Sequence, residues 1–311
     1  MGASRSPAWR PAFAGCHACS FSDKRRYLAF VGGPRVTNSW IAGLAAVFLW
    51  WFSTGILLWR VRYADNAGGE AHFRSVVFGL PLLFAGVVGL NLSLNDQSIH
   101  GAYFAFLSAL GIWGWIELAF LSGAITGPNT KACPANATLS DRFQRAVGTI
   151  AYHETLLIVA LMLICYASAG MPNQFALWTF AVLFFARVSA KLNLFLGVPR
   201  INVEFLPRPL AHLASHFRVA KMNGFFPVAV TALTFAAGCW MERAASASTD
   251  ARQIGFVLLS ALTLLALLEH WFMMVSLPDQ KLWRWMLPAQ KPKISKATPS
   301  LDSLKENSHG L

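Results

Sequence analysis

Residues 180–205 read FAVLFFARVSAKLNLFLGVPRINVEF, and this stretch decides the fold class. It is apolar enough to lie in a bilayer, yet its second half carries Arg187, Lys191 and Asn193. A charge inside hydrocarbon costs about 2.5–3.5 kcal/mol on insertion scales unless it is paired or hydrated. Arg187 and Lys191 are four residues apart, so a helix places them on one face. The stretch therefore predicts a membrane helix whose cations meet acidic side chains of other helices inside the fold.

The composition of the whole chain points to the same class. Hydrophobic residues make up 55% of the 311 positions and charged residues 13%, and the mean hydropathy is +0.47. A soluble globular protein has about twice that share of charged residues. Several apolar runs reach the roughly 20 residues that cross a bilayer. We therefore predict an all-α, polytopic membrane bundle over residues 39–287, with about seven transmembrane helices and one interfacial amphipathic helix.

The apolar runs give the approximate bounds of these helices. The predicted spans are 39–59, 75–93, 101–122, 147–169, 174–196, 224–241 and 254–276. Over residues 200–222, charged and histidine side chains alternate with leucine and phenylalanine, which indicates a short amphipathic helix on the membrane surface. Residues 1–38 and 288–311 are polar, and we expect both to be disordered tails.

Seven spans place the two ends of the chain on opposite sides of the membrane. The side that holds the C-terminus carries twice as many Lys and Arg residues as the other side. The positive-inside rule then predicts a cytoplasmic C-terminus and an N-terminus outside. The net charge of +12 is spread over loops and tails, so it fits an anionic lipid leaflet, and we expect no nucleic-acid partner.

Ionisable residues recur near the predicted cytoplasmic ends of four spans. At a rise of 1.5 Å per residue they fall about 8–11 Å inside that face. Independent snorkelling would not bring acids, cations and imidazoles to one depth on four helices, so we predict a shared buried site. Its candidate residues are Glu117, His153, Glu154, Arg187, Lys191, Asn193, Glu269 and His270.

Three interpretations of this site stay open. In the first, its cations pair with its carboxylates, and the network only locks the bundle. In the second, carboxylates and imidazoles hold a divalent or di-iron metal site, because these are the ligand types of such bundles. In the third, the cluster is a pigment or headgroup site, in which His153 or His270 binds the magnesium of a chlorin such as bacteriochlorophyll and the cations hold propionate or phosphate groups. The possible metal ligands are Glu117, His153, Glu154, Glu269 and His270.

Several long strings in the chain resemble the PuhE family, known as photosynthetic complex assembly protein 2. The strings are WWFSTGILL at 50–58, GAYFAFLSALGIWGWIELAFLSGAITGP at 101–128, RVSAKLNLFLGVPRINVEFLP at 187–207, FFPVAVT at 225–231 and LEHWFMMVSLPDQKLWRWML at 268–287. The His153-Glu154 pair also matches, although the family often has His-His-Glu where this chain has Tyr152-His153-Glu154. The resemblance covers nearly all of the predicted membrane part.

The resemblance implies a role in assembling the bacterial photosynthetic reaction centre or its light-harvesting antenna. The expected location is the cytoplasmic or intracytoplasmic photosynthetic membrane, and the expected partners are membrane lipids, pigment, and reaction-centre or antenna subunits. Two classes of function stay open. One is an assembly factor or pigment chaperone that binds without chemistry. The other is a membrane-embedded, metal-dependent oxidase or hydroxylase that acts on a pigment or quinone.

Overall fold

The computed structural model describes residues 34–134, 136–203 and 206–275. Within these residues the long helices are α1 (Pro34–Ala67), α2 (Ala71–Ser93), α3 (Ile99–Leu121), α4 (Leu139–Ser168), α5 (Phe175–Leu196), α6 (Phe225–Ala245) and α7 (Asp250–Phe272). A 3-10 helix, Arg208–His216, lies between α5 and α6. α1 begins inside the predicted N-terminal tail. The rest of that tail, the predicted C-terminal tail at 288–311 and the predicted end of the bundle at 287 lie outside the described residues.

Each of the seven long helices has the length and apolar composition needed to cross a membrane. The predicted fold class, an all-α multi-pass membrane protein, is confirmed. Successive spans alternate in direction, so α1, α3, α5 and α7 end on one side. The long connections at 122–138 and 197–224 lie on that side, which we call the long-loop side.

α1 and α4 extend furthest beyond the predicted spans, and the additional turns carry charged residues. α4 begins well before the predicted start at 147, and the Thr138 side chain caps it by accepting from the Asp141 backbone N–H at 3.2 Å. Arg145 pairs with Asp141 one turn later at 2.9 Å. A hydropathy pattern misses these turns because charged residues can continue a helix once it has left the bilayer.

α1 continues past the predicted end at 59 to Ala67, and the buried Asp65 explains what its last turns do. The Asp65 carboxylate accepts from the backbone N–H of Arg208 at 3.1 Å and lies 3.2 Å from Nε2 of His72. It therefore ties the end of α1 to the start of both α2 and the 3-10 helix.

The segment 200–222 contains one short helix with a buried leucine face, as predicted. It is a nine-residue 3-10 helix, Arg208–His216, and not an α-helix. Pro207 and Pro209 stand at its start, and proline removes backbone N–H donors from a helix. Leu210 and Leu213 are buried against Phe195 of α5, as the amphipathic pattern indicated. The sequence pattern thus identified the buried face but not the type of helix.

α3 is the central helix of the bundle. In its most apolar window 72% of residues are buried, against 17% in the windows of α1 and α2. Small residues let α2 approach it closely, since a Cβ added to Gly86 would come within 2.9 Å of the backbone nitrogen of Ile112. α4, α5 and α7 also contact α3, so a polar residue of α3 has three helices within reach.

Candidate functional site

Four polar residues of α5 stand two apart, at 187, 189, 191 and 193. Two residues turn an α-helix by about 200°, so Arg187 and Lys191 share one face, while Ser189 and Asn193 share the opposite face. Arg187 bonds to α3 and Lys191 to α4, whereas Ser189 bonds to α7 and Asn193 to the segment before α6. α5 is therefore a hub that connects four neighbouring elements through side-chain hydrogen bonds.

The first ion pair joins α5 to α3. Nη2 of Arg187 donates to Oε2 of Glu117 at 2.9 Å. The Glu117 side chain is only 9% exposed, whereas that of Arg187 is 37% exposed. Nε of Arg187 is buried and has no hydrogen-bond partner in the described part of the chain. The pair thus has a buried anionic end and a partly open cationic end.

The second ion pair joins α5 to α4. Nζ of Lys191 donates to Oε1 of Glu154 at 2.5 Å, and both side chains are largely shielded, at 11% and 22% exposure. The Lys191 ammonium also lies 5.0 Å from the centre of the Phe120 ring, within the range of a cation–π interaction. Lys191 is therefore held by α4 and α3 together.

His153 lies between the two ion pairs and is fully buried. Its ring is 4.2 Å from that of Phe120, centre to centre, and its Nε2 is 3.7 Å from Oε1 of Glu117, which is too long for a hydrogen bond. Among the described residues neither ring nitrogen has a hydrogen-bond partner, and Oε1 of Glu117 has none either. The imidazole and the carboxylate thus face each other without a direct bond.

The loop after α3 fixes this part of α4. The backbone N–H of His153 donates to the carbonyl of Thr126 at 3.0 Å, and the N–H of Asn129 donates to the carbonyl of Gly148 at 3.0 Å. Gly127 lies between these two contacts. A Cβ at Gly127 would stand 2.1 Å from the Gly148 carbonyl oxygen, so only glycine allows the loop this close to α4.

The opposite face of α5 contacts α7. Nδ1 of His270 lies 2.7 Å from the Ala266 carbonyl, and Nε2 lies 2.7 Å from Oγ of Ser189. A carbonyl only accepts, so in the neutral ring Nδ1 carries the proton and Nε2 accepts from the Ser189 hydroxyl. His270 is therefore committed to holding α7 against α5.

Asn193 belongs to a separate network. Its Nδ2 donates to the Ser189 carbonyl at 3.0 Å, and its Oδ1 accepts from Nδ2 of Asn223 at 3.0 Å. Asn223 in turn accepts from the backbone N–H groups of Phe225 and Phe226, which begin α6. Asn193 thus positions α6 and does not contact the ion pairs.

Glu269 is the third carboxylate of the predicted site, and it is exposed. The cations of α5 pair with Glu117 and Glu154, and none of the described residues forms an ion pair or hydrogen bond with the Glu269 carboxylate. The prediction that Glu269 lies inside the bundle beside the other carboxylates does not match this position.

The five possible metal ligands do not converge. Within residues 34–134, 136–203 and 206–275, no group of three or more His, Cys, Asp or Glu side chains is arranged to hold a metal ion. These side chains have other partners or positions. Glu117 and Glu154 form ion pairs with the cations of α5, and His270 bonds to Ser189. Glu269 is exposed. The geometry corresponds instead to the first interpretation, in which cations pair with carboxylates.

The surroundings of His153 and His270 determine whether either ring can bind a pigment. A histidine that ligates a chlorin magnesium must present a ring nitrogen to a space large enough for the macrocycle. His153 is completely enclosed, and His270 is 1% exposed with both nitrogens engaged. Neither imidazole, as placed here, presents such a nitrogen.

Several residues of the site were absent from the sequence-based prediction. Phe120, Ser189 and Asn223 contact predicted site residues. Gly127 packs against α4 and follows Thr126, whose carbonyl accepts from the His153 N–H. The spacing of two between 187, 189, 191 and 193 was the available signal, since polar residues on both faces of one membrane helix indicate partners on both sides. No signal in the sequence marked Phe120 or Gly127.

Two further histidines, His212 and His216, lie outside the spans, in the 3-10 helix. His216 is fully buried, its Nδ1 is 3.2 Å from the His212 carbonyl, and burial lowers its pKa below the ordinary histidine value. Burial also lowers the pKa of His212. Ser215 joins this helix to the loop before α4, because its Oγ accepts from the Cys133 N–H at 2.9 Å. We interpret this pair as part of the packing of the long-loop side.

The fold and the site define a multi-pass helical membrane protein whose core is cross-linked by buried ion pairs through one hub helix. The chain belongs to the DUF3623 family, described as "Protein of unknown function", which matches residues 36–294. It is also similar to the "Uncharacterized 30.4 kDa protein in puhA 5'region" of Rhodobacter capsulatus, with 61% identity over 265 residues that cover 85% of this chain and 97% of that protein. No solved structure shows a significant match.

Proposed function

We propose that this chain is a membrane factor for the assembly of the bacterial photosynthetic reaction centre or its light-harvesting complex. One observation carries the proposal, namely the 61% identity to a protein whose name places its gene in the puhA 5' region. The resemblance to the PuhE family supports it, because that resemblance implies a gene near those of the reaction-centre H subunit and of bacteriochlorophyll synthesis. The proposed location is the bacterial cytoplasmic or intracytoplasmic membrane, with the long-loop side in the cytoplasm.

The geometry favours binding over catalysis as the mode of action. The polar side chains in the core bind one another. Two ion pairs and a serine–histidine hydrogen bond hold four helices together. A metal-dependent oxidase requires several ligands aimed at one point, and the described residues do not supply that arrangement. The hub instead provides a rigid bundle whose outer faces are free to contact lipid, pigment or a subunit.

A genetic test in Rhodobacter capsulatus separates these functions. The gene of the relative is deleted, and near-infrared absorption of membranes then measures assembled reaction centres and antenna. We expect both to fall and to return when this chain is expressed. Extracted pigments and quinones are analysed in parallel. Normal complex levels after deletion would refute the assembly role, and accumulation of one chemically distinct pigment or quinone precursor would establish the enzymatic alternative.

A further inference from the structure

A cleft of about 360 Å³ lies on the long-loop side, between the start of α4 and the segment that follows the 3-10 helix. Its lining combines two cations with apolar side chains and contains no carboxylate. The lining residues are Ala137, Leu139, Arg142, Phe217, Arg218 and Val219. The volume is near the lower end of the range for small-molecule pockets. The cleft therefore suits a compact, negatively charged group.

Backbone hydrogen bonds hold one wall of the cleft in place. The N–H of Arg218 donates to the carbonyl of Leu194 at 3.0 Å, and the carbonyl of Arg218 accepts from the N–H of Val198 at 3.1 Å. Val198 and Val219 form a parallel β-bridge. The wall is thus tied to the end of α5 by the main chain, and the position of Arg218 does not depend on a ligand.

The two guanidinium groups are bonded only to neutral carbonyls. Nη1 of Arg142 donates to the Ser215 carbonyl at 2.8 Å, and Nη1 of Arg218 makes a long contact of 3.4 Å with a backbone carbonyl. Neither arginine forms an ion pair with a carboxylate of the described residues, since Asp141, next to Arg142 in the chain, pairs with Arg145 at 2.9 Å. The cleft therefore carries two positive charges that none of these residues neutralises.

The cleft lies at the depth of lipid headgroups. Arg142 precedes residue 147, the predicted start of the apolar run of α4, by about 8 Å along the helix. The headgroup layer extends roughly 5–8 Å beyond the hydrocarbon core on each side. Two apolar side chains of the lining remain exposed, Leu139 at 54% and Val219 at 75%. A surface that is both cationic and apolar at this depth suits a lipid.

We propose that the cleft binds the phosphodiester head of an anionic phospholipid through Arg142 and Arg218. Guanidinium groups favour phosphate because their planar N–H donors match its oxygens. The head must carry a net negative charge, because the lining has no carboxylate to neutralise the ammonium of a zwitterionic head. Basic pockets at the cytoplasmic ends of membrane helices bind anionic heads in this way. This inference does not depend on the assembly role.

Native mass spectrometry of the purified full-length chain tests the site. Phosphatidylglycerol, phosphatidylethanolamine and phosphatidylcholine with the same acyl chains are titrated into detergent micelles, and retained lipid is counted. Glycerol phosphate, a soluble phosphate ester, is titrated separately. We expect phosphatidylglycerol to be retained most strongly and glycerol phosphate to be lost.

Two arginine variants locate the binding. Arg218→Gln removes one of the two cations and is expected to weaken the retention of phosphatidylglycerol about tenfold. Arg74→Gln is the matched control, because Arg74 is exposed at the start of α2, on the same side, and does not line the cleft. We expect it to retain phosphatidylglycerol like the unmodified chain. The thermal midpoint, followed by tryptophan fluorescence, verifies that both variants are folded.

The unmodified chain alone can overturn the proposal. Equal retention of the three lipids would show that the chain does not select an anionic head. Retention of glycerol phosphate as strong as that of phosphatidylglycerol would assign the cleft to soluble phosphates instead of lipid. If Arg218→Gln and Arg74→Gln weakened retention equally, the preference would come from the overall positive charge of the chain, and the cleft would have no role.

Discussion

Replacing Lys191 by methionine tests whether the ion pairs hold the bundle together. Methionine keeps much of the length and apolar volume of lysine but removes the charge. Glu154 is then left as a largely buried carboxylate without its cation, and the interaction with the Phe120 ring is lost as well. We therefore expect a marked decrease in the free energy of unfolding.

The expected magnitude follows from the burial of the pair. Removing one partner of a fully buried ion pair costs about 3–5 kcal/mol. Water still reaches part of Glu154, whose side chain is 22% exposed, so we expect a smaller loss of about 2–4 kcal/mol for Lys191→Met. The double variant Lys191→Met/Glu154→Gln removes both charges, and we expect it to lie within about 1 kcal/mol of the unmodified protein.

Reversible unfolding in mixed detergent micelles, followed by tryptophan fluorescence, measures these free energies. Lys221→Met is the matched control, because Lys221 is exposed in the connection before α6, and we expect a change within about 0.5 kcal/mol. If the double variant lost as much stability as the two single variants added together, the coupling between Lys191 and Glu154 would be absent and the hub description would be refuted.

Three other variants probe the surroundings of the hub by the same unfolding assay. Gly127→Ala is expected to lower the free energy of unfolding by about 1–3 kcal/mol, because the added Cβ meets a carbonyl oxygen. Gly238→Ala is the control, since a Cβ there has nothing within 4 Å and should be neutral or slightly stabilising. Equal effects of the two substitutions would contradict the close contact of the loop. Ser189→Ala leaves Nε2 of His270 unpaired and should cost about 1–3 kcal/mol, and an unchanged midpoint would show that this bond is dispensable. Burial lowers the pKa of His216 in the folded state, so the unfolded state binds more protons as the pH falls below about 6.5. The free energy of unfolding should therefore decrease on acidification. His216→Gln should reduce this pH dependence, and an unchanged dependence would show that His216 does not cause it.

The sequence predicted the class of fold because hydrophobicity and length alone determine whether a helix can cross a bilayer. It also predicted that Arg187 and Lys191 require acidic partners, because the cost of a charge in hydrocarbon does not depend on the fold. It did not predict which carboxylate each cation meets. That choice depends on how α3 and α4 are rotated against α5, and the apolar surfaces of membrane helices leave rotation open.

Glu269 and His270 show most clearly that the sequence does not predict which side of a helix faces the core. They are adjacent, so they point about 100° apart, and only one of them can face α5 directly. Hydropathy does not distinguish the inward residue from the outward one, and the structure places His270 inside and Glu269 outside. Asn193 was assigned to the site by its neighbourhood in the chain, whereas its position two residues after Lys191 turns it to the opposite face.

Among the described residues, the ion pairs separate two paired carboxylates of the core from Glu269. A buried ion pair gives little net stability over apolar packing, but it fixes which helices meet and in which rotation. Arg187–Glu117 and Lys191–Glu154 meet this description, since each is complete in itself. Glu269 contributes to no such pair among the described residues, so its removal should leave the folded bundle intact while the removal of Lys191 should not. Variants of Lys191 are thus expected to lower protein abundance, and Glu269→Gln is expected to leave it unchanged. The same abundance loss for both would mean that Glu269 is also structural.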